Sequence, residues 1–317
     1  MYWNFDEIIV RPNAPRLSGN EWPLAVEIGF GNGEYLAHLA RTQPEWLVVG
    51  VEVSQWCIAK AARRALAEGL GNVRILHGDA RHLLRLAFEP GSISDVFMNF
   101  PCPWPKRRHT ERRVARPQFA ALMAASLRRG GRFTLATDVD WYAAETFEVF
   151  SADDDFRAEA VQKNPQRDYA TKYERKWLEM GRDTYVMTAT KTGGETPAND
   201  TDMDMTGNDE IMEMTAEFPD AAGGIKDFRN LLLSVKDDVL EGETYKVIFR
   251  EVFFAEDDAA VILVIAVDEG FEQHYYLKLI PMNGRVKGKV DAVGHPYKTP
   301  GVRASLRHLM KKIGARF

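Results

Sequence analysis

Residues 26–36 read VEIGFGNGEYL. An apolar run that begins at Leu24 passes into glycines at alternate positions, Gly29, Gly31 and Gly33, and then into an amphipathic segment. The pattern is a strand, a tight turn and a helix. Glycines at such a turn let the backbone approach a ligand closely, and the helix N-terminus presents free N–H groups to anionic atoms. The same alternation continues outward. LVVGVEVS (47–54) is a second strand, followed by the helix QWCIAKAARRALAEG (55–69). VRILHGDAR (73–81) and SISDVFMNFP (92–101) are a third and a fourth strand. QFAALMAASLRRGG (118–131) reads as a helix with a glycine stop, RFTLATDVDWY (132–142) as a fifth strand and YVMTATK (185–191) as a closing strand. Strands alternating with helices imply an α/β fold, a parallel sheet covered on both faces. Such a sheet takes its ligands beyond the carboxyl ends of its strands.

The remainder of the chain changes character. Net charge is −5, but residues 195–225 hold nine acidic residues and no Lys or Arg, so both flanks are slightly basic and able to meet a polyanion. The domains expected are 1–194, an acidic linker over 195–224 and a small α+β domain over 225–317. DEIMEMTAEF (209–218) is a candidate short helix within the linker. In the last segment, IKDFRNLLLSV (225–235) reads as a helix, and TYKVIFREVFFA, AAVILVIAVDE and QHYYLKLIPM as antiparallel strands. HYYLKLIP suggests exposed aromatics, and RASLRHLMKKI (303–313) a basic closing helix, so this domain is a candidate RNA contact, dimerisation or purely structural module. No apolar run approaches the ~20 residues of a membrane span, and no secretory leader is visible. Two cysteines, Cys57 and Cys102, make neither a disulfide framework nor a metal site, and a reducing cytoplasm is expected.

The acids near the glycine turn narrow the ligand. A dinucleotide fingerprint is G-x-G-x-x-G, whereas the glycines here run G-x-G-x-G. Glu27, immediately before the turn, would repel a pyrophosphate but suits the ammonium or sulfonium of S-adenosylmethionine. Glu52 ends the second strand, placed for ribose hydroxyls, and Asp79 ends the third, placed for an adenine amino group.

The fourth strand runs into NFPCPWPKRRHTERR (99–113). Prolines 101, 103 and 105 fix φ and stiffen the loop. Lys106, Arg107, Arg108, Arg112, Arg113 and Arg116, opposed by Glu111 alone, form a phosphate-binding patch. Trp104 is a packed anchor or a stacking platform. With VEIGFGNGEYL, ATDVDWY and TKYERKWLEMG (171–181), this string resembles the bacterial tRNA (guanine-N7-)-methyltransferases over residues 1–194. Their hallmark after strand four is N-F-P/S-D-P-W-P-K-x-R-H.

The resemblance implies a Rossmann-like S-adenosylmethionine-dependent methyltransferase sheet that modifies tRNA; His38, His77, His82 and His109 form no recognisable metal set, so no metal is expected. It implies cofactor contacts at Glu27, Gly29, Gly31, Gly33, Glu52, Asp79, Asn99 and position 102. Substrate contacts are implied at Lys106, Arg108, His109, Asp138 and Thr171, Lys172, Tyr173 and Glu174. Thr171 and Glu174 also have the spacing of a capping box, so a structural helix start is an alternative. Asp138 and Cys102 occupy the positions expected to be catalytic. Cys102 departs from the family, which has Asp there. A thiol is mostly neutral at pH 7 and a poor acceptor. Three readings follow: no base is required, the chain binds tRNA with weakened or lost catalysis, or the cysteine is a nucleophile, which the family's chemistry does not call for.

Overall fold

The computed structural model describes residues 8, 16–103, 115–193, 212–217, 224–256, 259–268, 271–282, 284–291 and 296–313. The chain divides into two compact units, Met1–Asp200 and Thr201–Phe317. The basic loop residues 104–114, with Trp104, Lys106, Arg108 and His109, and most of the acidic segment lie outside the described residues.

In the first unit β1 (Leu24–Ile28), β2 (Leu47–Glu52), β3 (Val73–His77), β4 (Ile93–Asn99) and β5 (Leu127–Thr137) are parallel, in the order β3-β2-β1-β4-β5. β1 is buried along its whole length, as a strand covered on both faces must be. The sheet is completed by β8 (Tyr185–Lys191), antiparallel to β5, with β6 (Phe156–Ala158) and β7 (Gln162–Lys163) antiparallel to β8.

Helices α1 (Glu34–Thr42) and α2 (Gln55–Ala67) pack together. So do α3 (Ala80–Leu86), α4 (Pro117–Ser126) and α5 (Asp140–Ser151) in series. The chain steps outward from β1 to β3 and then returns across β1 to β4. With right-handed crossovers this puts the two helix groups on opposite faces and reverses direction between β1 and β4.

Two boundaries differ from the sequence reading. The glycines at 130 and 131 do not stop α4, which ends at Ser126, and β5 starts at Leu127. At that end Lys191 of β8 donates to the carbonyls of Ala124 (2.5 Å) and Leu127 (3.0 Å), satisfying oxygens that the end of the helix leaves without partners. The stretch 132–142 is not all strand, because α5 begins at Asp140. A short helix, α6 (Lys172–Glu179), precedes β8.

The second unit is an antiparallel six-stranded sheet, β10-β11-β12-β13-β14-β9. Its strands are β9 (Glu213–Glu217), β10 (Val239–Glu241), β11 (Tyr245–Phe254), β12 (Ala260–Asp268), β13 (Phe271–Met282) and β14 (Arg285–Val290). The candidate helix over 209–218 is instead β9, and the expected linker over 195–224 therefore contains an edge strand paired with β14. Its alternation of Met214 and Ala216 with Glu213, Thr215 and Glu217 has period two; its acidity masked that signal.

α7 (Gly224–Leu233) and α8 (Pro300–Lys312) join the sheet's core. From α8, Val302, Leu306, Leu309 and Met310 pack with Val247, Ile262, Val264 and Leu277 of the strands. Contact is close at Gly288, where a Cβ would lie 2.5 Å from the Met310 sulfur. Tyr275, expected to be exposed, is buried in this core, and its hydroxyl donates to Ser305 Oγ at 2.7 Å.

The N-terminus of α8 is capped from the sheet. Buried Asp268, at the end of β12, accepts from the Gly301 N–H (2.6 Å) and from the Thr299 hydroxyl (2.7 Å). A carboxylate at a helix N-terminus satisfies orphan donors and complements the dipole. Asp268→Ala should lower the opening free energy of the first turn of α8 by ~2 kcal/mol or more. Native-state hydrogen exchange of the Gly301–Ser305 amides measures this, and unchanged protection would show that the cap is dispensable.

Candidate active site

The carboxyl ends of the parallel strands bring the sequence-selected acids to one edge. Glu27 is the fourth residue of β1, in register with Gly50 of β2 and Phe97 of β4. It is 2 % exposed. Asn99, the last residue of β4, donates from Nδ2 to Glu27 Oε1 at 3.1 Å. The other oxygen, Oε2, is buried with no hydrogen-bond partner among the described residues. Burial pushes the Glu27 carboxyl up to about 7, against a weaker opposing pull from Asn99. A buried carboxylate oxygen without a partner costs folding free energy, so its presence beside an open loop points to a ligand's donor.

The glycine loop separates into two functions. Gly29, Gly31 and Gly33 all take left-handed φ, at 69°, 54° and 73°. A Cβ at Gly33 would meet Ala61 Cβ at 2.6 Å, so Gly33 also lets α1 sit on α2. A Cβ at Gly29 or Gly31 meets nothing within 4 Å, so both backbones face open space. Glu52 ends β2 and reaches over to the loop: its Oε2 accepts from Gly31 N–H at 3.1 Å, while Oε1 accepts from Val53 and Ser54 N–H. Asp79 caps α3, accepting from Arg81 N–H at 2.9 Å, and is ion-paired with the Arg81 side chain. Burial raises its pKa, but the Arg81 hydrogen bonds outweigh that and hold it below the usual range.

Beyond β4 the chain turns sharply. Phe100 has a left-handed φ of 50°, and its N–H donates to Ala136 O on β5 at 2.7 Å. A non-glycine residue there costs roughly 1 kcal/mol, strain of the kind found at functional loops. It delivers Pro101, Cys102 and Pro103 to the strand ends, with Cys102 exposed. Asp138 follows β5, with Oδ2 at 3.5 Å from Arg182 Nη1. The Arg182 guanidinium lies over the Trp177 ring, 4.3 Å from its centroid.

Thr171 and Glu174 form a complete capping box at the start of α6, and both are buried. Of Lys172 and Tyr173 the structure describes the backbone alone, as residues of the first turn of that helix. Sequence reasoning did not single out Arg167. Its guanidinium, mostly buried, donates to Glu174 Oε2 (2.8 Å) and to Asn99 Oδ1 (2.6 Å), and lies over the Tyr35 ring. One arginine in the charged stretch QRDYATKYERK carries no mark that separates it from its solvated neighbours. Among the described residues no group of His, Cys, Asp and Glu is arranged to hold a metal ion, and no helix is long and apolar enough to cross a membrane.

A parallel sheet reversed between β1 and β4, closed by an antiparallel strand and edged by a glycine loop and two acids, defines a Rossmann-like methyltransferase. A family model described as "Putative methyltransferase" matches residues 21–187. A tRNA (guanine-N(7)-)-methyltransferase of Thermotoga maritima is 35% identical over 298 residues, 94% of this chain and 91% of that one. One of Thermus thermophilus is 43% identical over 171 residues, 54% of this chain and 55% of that one. The chain belongs to the tRNA (guanine-N7-)-methyltransferase family. A match of 298 residues also extends beyond residue 194, where the motif-based resemblance stops.

The Glu27 environment fixes a pH dependence. Its folded-state pKa of about 7 exceeds the ordinary 4.5, so the ligand-free folded chain holds this proton more tightly than the unfolded chain. The favourable contribution is fully present below about 4.5 and is lost as pH rises through about 7. Glu27→Gln should therefore stabilise the ligand-free protein by ~1–3 kcal/mol at pH 8 and leave it little changed at pH 5. Thermal melts at the two pH values test this; equal shifts at both would mean Glu27 is not desolvated.

Proposed function

We infer that this chain transfers the methyl group of S-adenosylmethionine to N7 of a guanosine in tRNA, giving 7-methylguanosine. The observation that carries the reading is the buried, unpartnered Glu27 Oε2 beside the open backbones of Gly29 and Gly31, in a chain of this family. A pyrophosphate would meet repulsion there. A cationic cofactor meets an acceptor in need of a donor.

In this reading Glu27 and Asn99 hold the cofactor's amino-acid end, Glu52 its ribose hydroxyls and Asp79 its adenine, with Gly29, Gly31 and Gly33 shaping the approach. When bound, S-adenosylmethionine supplies a sulfonium methyl: the carbon–sulfur bond breaks, sulfur keeps the electron pair, and carbon bonds to the N7 lone pair. No proton leaves the base, so the residues' work is positioning and accommodating the charge that develops on guanine. Asp138 is suited to both: a carboxylate accepts from the N1–H and N2–H edge and offsets that charge. Lys106, Arg108 and His109 meet the RNA backbone, and Thr171, Lys172, Tyr173 and Glu174 bring α6 to the substrate. Cys102 replaces a carboxylate at a step with no proton to remove. The alternative of a tRNA-binding chain that has lost transfer finds no support in the relatives, which are themselves named as methyltransferases. The substrate suggests a cytoplasmic location.

Labelled methyl transfer to unmodified tRNA, followed by nucleoside analysis, tests the reading. Wild type should yield 7-methylguanosine, Asp138→Ala should lower kcat/KM by about 100-fold, and Cys102→Asp should change it by less than about tenfold. A different methylated nucleoside, or product from Cys102→Asp alone, would overturn it.

A further inference from the structure

A continuous line of hydrogen bonds leaves the cofactor edge and ends at the helix assigned to the substrate. Glu27 Oε1 accepts from Asn99 Nδ2 at 3.1 Å. Asn99 Oδ1 accepts from Arg167 Nη2 at 2.6 Å. Arg167 Nη1 donates to Glu174 Oε2 at 2.8 Å. The same Glu174 oxygen accepts from Thr171 N–H at 3.3 Å, and Thr171 Oγ1 accepts from Glu174 N–H at 3.2 Å. Tyr35, on the helix that leaves the glycine loop, lies against the Arg167 guanidinium, 5.6 Å from ring centroid to Cζ.

We propose that Arg167 is a positioning residue that couples the two ligands: cofactor bound at Glu27 orders the first turn of α6 for the guanosine, and tRNA bound there tightens the cofactor site. The proposal rests on the methyl-transfer reading for the identity of the ligands. Three features support it. Arg167 bonds both the cofactor edge, through Asn99, and the α6 cap, through Glu174. The Asn99 amide has its orientation fixed from both sides, so a change at Glu27 is felt at Arg167. The bonds at both ends of Arg167 are charge-assisted or short, and they are partly buried. Coupling between binding sites is reciprocal, which makes the claim measurable from either side.

Arg167→Lys keeps the charge beside Glu174 but cannot span Asn99 and Glu174 with a planar fork. In wild type, saturating S-adenosylhomocysteine should raise the affinity for unmodified tRNA by about 5–50-fold, and in Arg167→Lys by less than about twofold. The variant's turnover should show a raised KM for tRNA with a smaller change in kcat. Hydrogen exchange provides a second measurement that needs no RNA: S-adenosylhomocysteine alone should protect the Thr171–Arg175 amides of wild type but not those of the variant. Absence of coupling in wild type, equal coupling in the variant, or unchanged exchange across α6 would each overturn the proposal. Failure to make 7-methylguanosine would instead count against the methyl-transfer reading, while the exchange measurement still judges Arg167.

Discussion

The site depends on a carboxylate held out of water at the centre of the sheet. Glu27 sits on β1, where the strand order reverses, with β2 on one side and β4 on the other. Any position there is buried by construction, because both faces of the sheet are covered. A leucine would be cheaper for folding. The acid is tolerable because Asn99 offers one hydrogen bond and because its pKa rises to about 7, so at neutral pH the ligand-free protein carries the charge part of the time. A cationic ligand favours the ionised form and gains from its desolvation. In the proposed function, the stability forgone in the empty protein becomes selectivity for positive over negative ligands.

The surrounding structure works to keep that edge in place. Glu52 pins Gly31, Phe100 takes a strained turn fastened to β5, and Gly33 lets α1 lie directly on α2. Each device fixes a backbone rather than a reactive side chain. This suits a transfer in which the nucleophile's lone pair is already free, where the geometry of approach decides the rate.

The first unit was legible because its strands alternate with helices and its acids fall at strand ends, where the topology must gather them. Glu27, Glu52 and Asn99 could be placed from chain position alone. Three things could not. The carbonyls at the end of α4 are satisfied by Lys191, sixty-odd residues away, and no local signal competes with two glycines. β9 hid in an acidic segment because charge outweighed a period-two pattern of only five residues. Arg167 was invisible because its link to the cofactor edge runs through a partner distant in sequence: Asn99 is 68 residues away.

That last case bears on Thr171 and Glu174. Read alone, a buried capping box is a helix start and nothing more, and the structure shows the box complete. Glu174 is buried, so its carboxylate needs the partner that Arg167 supplies. Glu174 is bonded to Arg167, Arg167 to Asn99 and Asn99 to Glu27, so the cap is the far end of a line that begins at the cofactor edge. The cap is the means by which the first turn of α6 holds one position, and the arginine ties that position to the buried acid. A methyltransferase that relies on alignment rather than proton transfer gains from such a tie, since a displacement of ~1 Å between donor and acceptor can cost on the order of 100-fold in rate.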